Sequence, residues 1–202
     1  MKTALTQAAA AIALSVCCTL PALADPIVDQ IDSARQAYEN GDARVAIQGL
    51  NIAVSQIEQQ LTRQQLKLLP APLEGWTADE ATAQGGGFAA MIVGTNLSRT
   101  YRNETSDAEI TITITSDSPM LPMLNMMLSA PMLLQADPRS NAYSYQSFNG
   151  VLQQGDAGAM QVSLMIGSRI LVQIEGTGAE QQELEAYLDA MNLAQLEQAL
   201  LG

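Results

Sequence analysis

The sequence predicts an α+β fold: an N-terminal antiparallel helical hairpin, then an antiparallel β-sheet domain with helices packed on one face. Three observations predict it. Apolar residues recur at helical spacing from Ile27 to Leu61. They alternate with hydroxyl residues in Ile110-Thr-Ile112-Thr-Ile114-Thr. Helical spacing then returns after Thr177.

In chain order, the first 24 residues carry one basic residue, Lys2, an apolar stretch from Ala8 to Leu20, and Ala22-Leu-Ala24 before Asp25. This is the layout of a cleaved export signal, so residues 1–24 are expected to be removed and the mature chain to begin at Asp25. Cys17 and Cys18 both fall inside that leader, and the chain from Asp25 onward contains no thiol. Lipidation at Cys17 or Cys18 is the rival reading. Val16 is bulky where a lipoprotein signal places a small residue, and Ala-Leu-Ala is the better cut.

Residues 25–68 read as the hairpin. Ile27, Ile31, Ala34 and Tyr38 mark one helix, and Ile47, Leu50, Val54, Ile57 and Leu61 the next, a face expected to pack on the rest of the protein or on a partner. Asn40-Gly41-Asp42 between them offers a glycine for a left-handed helix end and an aspartate to start the following helix. Residues 69–87 read as a connector, because the prolines of Leu69-Pro-Ala-Pro-Leu-Glu-Gly-Trp76 forbid helix and Gly85-Gly-Gly87 supplies a joint. Residues 88–202 read as the sheet domain. Strands are expected over 97–102, 110–115, 142–148, 151–154, 159–166 and 169–175. Asn149-Gly150 and Gly167-Ser168 are read as two-residue turns, and helices are expected over 178–191 and on to Leu200. Thr177 with Glu180, and Asn192 with Gln195, would start those helices.

Composition removes whole classes of function. The chain has no histidine, so Ser-His-Asp and Cys-His nucleophile pairs and imidazole metal sites are absent. From Asp25 onward it holds eight basic and 21 acidic side chains, a net charge of −13, which repels phosphate backbones and argues against nucleic acid. The most apolar stretch after the leader, residues 119–134, is interrupted by Pro122, Asn125, Ser129 and Pro131. It falls short of the roughly 20 apolar residues a membrane span needs. The location expected is outside the inner membrane: periplasmic in a Gram-negative source, otherwise secreted.

Five of the ten methionines, Met120, Met123, Met126, Met127 and Met132, lie within thirteen residues. Thioether sulfur is a soft ligand suited to Cu(I), which makes Met120, Met123, Met126 and Met127 the candidate metal residues. Methionine is equally an adaptable filler of cores and grooves. Trp76, Met123 and Met127 are the candidate contacts with a partner or ligand. Trp76 beside the connector reads first as its anchor to the core. Arg99 and Tyr101 share a strand face opposite Arg102, so the arginines cannot form a clamp, and internal carboxylates are their expected partners. Gly85-Gly-Gly87 lacks the Lys-Ser/Thr of a phosphate loop, and Ser118 has no base beside it. Of the paired carboxylates, Glu183 and Glu185 diverge by about 200° on a helix, while Asp79 and Glu80 sit in a polar connector. No catalytic residue and no cofactor is assigned.

Two resemblances add to this reading. The pattern Ala34, Tyr38, Gly41-Asp42, Ala46, Leu50, Ala53 resembles one tetratricopeptide unit, and a lone unit of that kind cannot bury its own face. The order Leu-Pro-x-Pro-x-x-Gly-Trp, Gly-Gly-Gly, Asp-Ser-Pro-Met is similar to that of a group of exported bacterial proteins over roughly residues 69–201; the resemblance implies export and no particular activity. The element order also resembles Mog1/PsbP-like sandwich domains, which implies topology alone. The function expected is that of an exported non-enzymatic accessory protein that binds another protein or an apolar ligand in the cell envelope. Soft-metal binding through residues 120–132 is the alternative, and a carboxylate-based hydrolase comes last.

Overall fold

A computed structural model of the chain describes residues 25–85, 94–128 and 138–201. The expected leader, Gly86-Gly87 and Met132 lie outside them. The chain divides into two compact units between Ala53 and Val54.

Helix α1 (Pro26–Glu39) opens on Asp25, whose carboxylate accepts the Ile27 N–H at 2.9 Å, with proline in the first turn, where its missing N–H costs nothing. Gly41, at φ +88°, turns the chain, and helix α2 (Ala43–Gln65) runs unbroken for 23 residues. Where the two helices touch, the contact is made by small residues. Ala34, Ala46, Gly49 and Ala53 are buried, and the Gln30 side chain donates to the Gly49 carbonyl at 3.5 Å. The long apolar side chains take no part in that seam. Ile31, Tyr38, Ile47, Leu50, Val54, Ile57 and Leu61 are all exposed, because small residues let the helix axes approach and leave the long side chains outside the seam.

After one 3₁₀ turn (Leu66–Leu68) come two short strands that sequence reading took for connector: β1 (Trp76–Ala78) and β2 (Thr82–Gln84). Both pair with β3 (Thr95–Asn103), end to end along its outer edge. Then follow β4 (Glu109–Ser116), helix α3 (Leu121–Leu128), β5 (Ser140–Tyr145), β6 (Phe148–Gln154), β7 (Met160–Ile166), β8 (Ile170–Thr177), helix α4 (Gln181–Ala190) and helix α5 (Leu193–Leu201). Among the described residues eight strands form one antiparallel sheet in the order β1-β3-β4-β8-β7-β6-β5, with β2 beside β3.

The two faces of this sheet differ as the alternation dictates. One carries Ile110, Ile112 and Ile114 beside Val162, Leu164, Ile166, Ile170, Val172 and Ile174. On it lie Leu184, Tyr187 and Leu188 of α4 and Leu193 and Leu196 of α5, all essentially inaccessible. Each such aliphatic side chain contributes about 1.5–3 kcal/mol on burial. The other face is hydroxyl-rich and half-buried, with Thr100 to Thr111 at 3.0 Å and Ser98 to Thr113 at 3.4 Å across β3 and β4. On it Leu121 of α3 packs with Met165 and Leu171. The chain is α+β, with its C-terminal helices together on one face.

Two turns differ from expectation. The β5–β6 turn is Gln146-Ser147, with Tyr145 opposite Phe148, while Asn149-Gly150 lies inside β6. Gly150 is there because a Cβ would stand 2.0 Å from the Ser163 carbonyl oxygen of β7, a close backbone approach rather than a turn. The second turn spans Gly167-Ser168-Arg169. At the C-terminal end, Glu180 and not Thr177 starts α4, in a reciprocal capping pair with Glu183. Asn192 caps α5 through a 3.2 Å bond from the Gln195 N–H.

Candidate functional site

The largest departure from ordinary burial is on α1 and α2. Among the described residues of these helices, ten large apolar side chains are at least 40 % exposed, Tyr38 at 71 % and Ile47 at 60 % among them. On α2 five of them, Ile47, Leu50, Val54, Ile57 and Leu61, follow one another at intervals of three and four. That spacing puts them in a single stripe along one side of the helix. The stripe is set about a quarter-turn from the side where Ala46, Gly49 and Ala53 are buried. Isolated exposed apolar residues are ordinary; a continuous row of them is not. The signal was already in the sequence, in the 3-4-3-4 spacing, but spacing alone leaves open whether such a row meets the rest of the chain or a partner.

Helix α3 behaves in a related way on a smaller scale. Leu121 is buried and Leu124 partly so, whereas Met120, Met123 and Met126 are each about three-quarters exposed. Met123 and Met126 project from the side opposite the leucines, with Met120 just ahead of the first turn. The side chain of Met127 falls outside the described ones. Among the described residues no three His, Cys, Asp or Glu side chains gather where they could hold a metal ion.

Trp76 is half-buried, edge-on to Tyr187 with ring centroids 5.5 Å apart, and Tyr187 in turn lies 4.4 Å from Tyr101. These rings tie the connector down. The Tyr101 hydroxyl donates to the Pro70 carbonyl at 2.8 Å, and Arg99 donates to the carbonyls of Pro70 and Asp79 at 3.2 and 2.9 Å. Burial raises the Tyr101 phenol well above its ordinary value. Arg99 thus binds backbone carbonyls and not the carboxylates expected of it. Arg102 does bind carboxylates, Asp79 at 2.6 Å and Glu109 at 3.0 Å. The exposed edge of Trp76 borders an open cleft of about 590 Å³ with Glu74, Glu180 and Glu183 in its wall. Trp76 lies on β1 and the Met side of α3 on a separate element.

Three of the four paired carboxylates are engaged in holding the fold. Asp79 pairs with Arg102, Glu183 accepts the Glu180 N–H at 2.8 Å, and Glu185 accepts the Tyr143 hydroxyl at 2.9 Å. Beside it Tyr145 donates to Asp189, and burial with that bond pushes the Tyr145 phenol up to about 12. Asp117, at φ +56°, pairs with Arg169, and the Ser118 hydroxyl accepts the Met120 N–H at 3.4 Å.

No family model, no curated protein and no solved structure matches this chain. Among the described residues no helix is long and apolar enough to cross a membrane.

Proposed function

We propose that this chain is an exported, non-enzymatic accessory protein that docks another protein on the exposed apolar side of its helical hairpin. The observation that carries the reading is the unbroken stripe Ile47, Leu50, Val54, Ile57, Leu61. Leaving five aliphatic side chains in water forgoes several kcal/mol, at about 25 cal/mol per Å², that a partner would recover. Export is read from the leader pattern of residues 1–24. A protein partner is favoured over a small apolar ligand because the stripe is a convex helix surface, and the Trp76 cleft has carboxylates in its wall.

The test is site-specific photocrosslinking in the native cell envelope. A photoreactive residue at Leu50 should give discrete protein adducts, and one at Thr113 on the hydroxyl face of the sheet should not. No adduct at Leu50 beyond the Thr113 background overturns the reading.

A second reading has its own observation, the shared exposure of three thioethers at Met120, Met123 and Met126. Changing Met120, Met123, Met126 and Met127 to Leu should abolish Cu(I) retention against a competing chelator while folding persists. Unchanged retention removes this reading.

A further inference from the structure

The stripe on α2 has the spacing of a coiled-coil seam. With Ala43, Leu50 and Ile57 at d, residues Ile47, Val54 and Leu61 fall at a, and Arg44, Asn51 and Glu58 fall at the flanking e positions. The opposite flank, g, is Ala46, Ala53 and Gln60, and Ala46 and Ala53 are already buried on the α1 side. A second helix laid on the a and d residues would thus stand about a quarter-turn round α2 from α1, the arrangement of neighbours in a four-helix bundle.

Charge selects the occupant. The chain as a whole carries −12, yet α2 holds only three charged side chains in 23 residues, Arg44, Glu58 and Arg63. A second acidic copy meets little repulsion along this helix. In an antiparallel pairing, a of one helix meets d of the other: Leu50 against Val54, Ile47 against Ile57, Ala43 against Leu61. The flanking e positions then meet as Arg44 with Glu58 of the other copy, twice over, and Asn51 meets its own counterpart at the two-fold axis. A parallel pairing offers no such match, because it sets Ala46, Ala53 and Gln60 against Asn51, Glu58 and Gln65. Among the described residues neither Arg44 nor Glu58 makes an ion pair within its own chain.

We infer that the protein on this stripe is a second copy of the same chain, two hairpins joining through antiparallel α2 helices into a two-fold four-helix bundle. This rests on the docking reading above and names its partner.

The experiment is sedimentation velocity of the exported chain, with charge and cysteine variants. The unaltered chain should sediment at twice its monomer mass. Arg44→Glu should weaken the dimer about tenfold by setting like charges opposite, and Arg44→Glu combined with Glu58→Arg should restore it. On oxidation Asn51→Cys should form a disulfide-linked dimer and Ile57→Cys should not, the unaltered chain run alongside as the control for Cys17 and Cys18. The double variant Leu50→Gln with Ile57→Gln, checked by circular dichroism for intact helix, should be monomeric. A monomer at all concentrations overturns the inference. So does a dimer indifferent to the charge swap, or one linked through Cys at 57 but not at 51. Leu50 photoadducts of a mass other than a second copy would sink the self-pairing while leaving docking intact, and absence of any adduct would sink both.

Discussion

Gly150 has no room for a side chain. Its α-carbon faces the Ser163 carbonyl across the β6–β7 pair, so Gly150→Ala is expected to cost about 1–3 kcal/mol or more by forcing the strands apart, read as a lower urea midpoint. The Asn-Gly pair had invited a turn, since that dipeptide is a common hairpin signal; only the strand beside it reveals the other reason for glycine. Tyrosines supply a second residue-scale prediction. Burial holds Tyr101, Tyr143 and Tyr145 above the usual phenol value of 10.0, with Tyr145 near about 12. The folded chain therefore keeps protons that the unfolded chain releases. Their contribution is complete below about pH 10 and is lost above it, that of Tyr145 as pH passes about 12 and those of Tyr101 and Tyr143 later. Tyrosinate absorbance should lag in the native protein behind that in denaturant, and the melting temperature should drop across that window. A normal titration of all five tyrosines would contradict the buried hydroxyl contacts.

At the scale of the element, α1 and α2 are held by small side chains, and this makes Gly49 their sensitive point. A Cβ there would lie 2.9 Å from the Ala34 Cβ, so Gly49→Ala should loosen the helix contact even though alanine raises intrinsic helix propensity by about 1 kcal/mol. Faster amide exchange across residues 30–53 would record it; unchanged exchange would mean the helices do not touch there. Helix α3 makes the opposite prediction. Leu121→Ala should cost about 2–4 kcal/mol, whereas Met123→Gln should stay within about 0.5 kcal/mol, because one side chain is buried and the other is 77 % exposed. Both helices were legible from spacing, and so were the Ile/Thr strand and the cap at Asn192. The strands β1 and β2 were not. Three-residue strands carry too little alternation to register, and they exist because the edge of β3 offers unpaired backbone groups.

For the whole molecule, the sheet core and the exposed stripe answer to different selections of apolar surface. Ile112→Ala, in the centre of the sheet, should destabilise the protein by about 2–5 kcal/mol in chemical denaturation. At a protein concentration too low for association, where the dimer adds nothing to stability, Leu50→Gln with Ile57→Gln should leave that denaturation midpoint nearly unchanged, and at high concentration it should remove association. A large loss of stability from the pair would show that the stripe is structural and not a docking surface. Of the candidate site, Trp76 and the methionines were visible as residue types in the sequence, but their partition was not. Trp76 belongs to the aromatic set that secures the connector, and Met120, Met123 and Met126 face outward.

The sequence by itself determined the fold class, the hairpin, the buried Ile face of the sheet and the exclusion of histidine chemistry, because periodicity and composition are local properties that need no partner to be read. Only the tertiary structure decided which apolar rows are covered. Ile110-Ile112-Ile114 and Ile47-Leu50-Val54 are equally regular in sequence, yet the first lies under α4 and α5 and the second lies open, since burial depends on what the rest of the chain brings to a face.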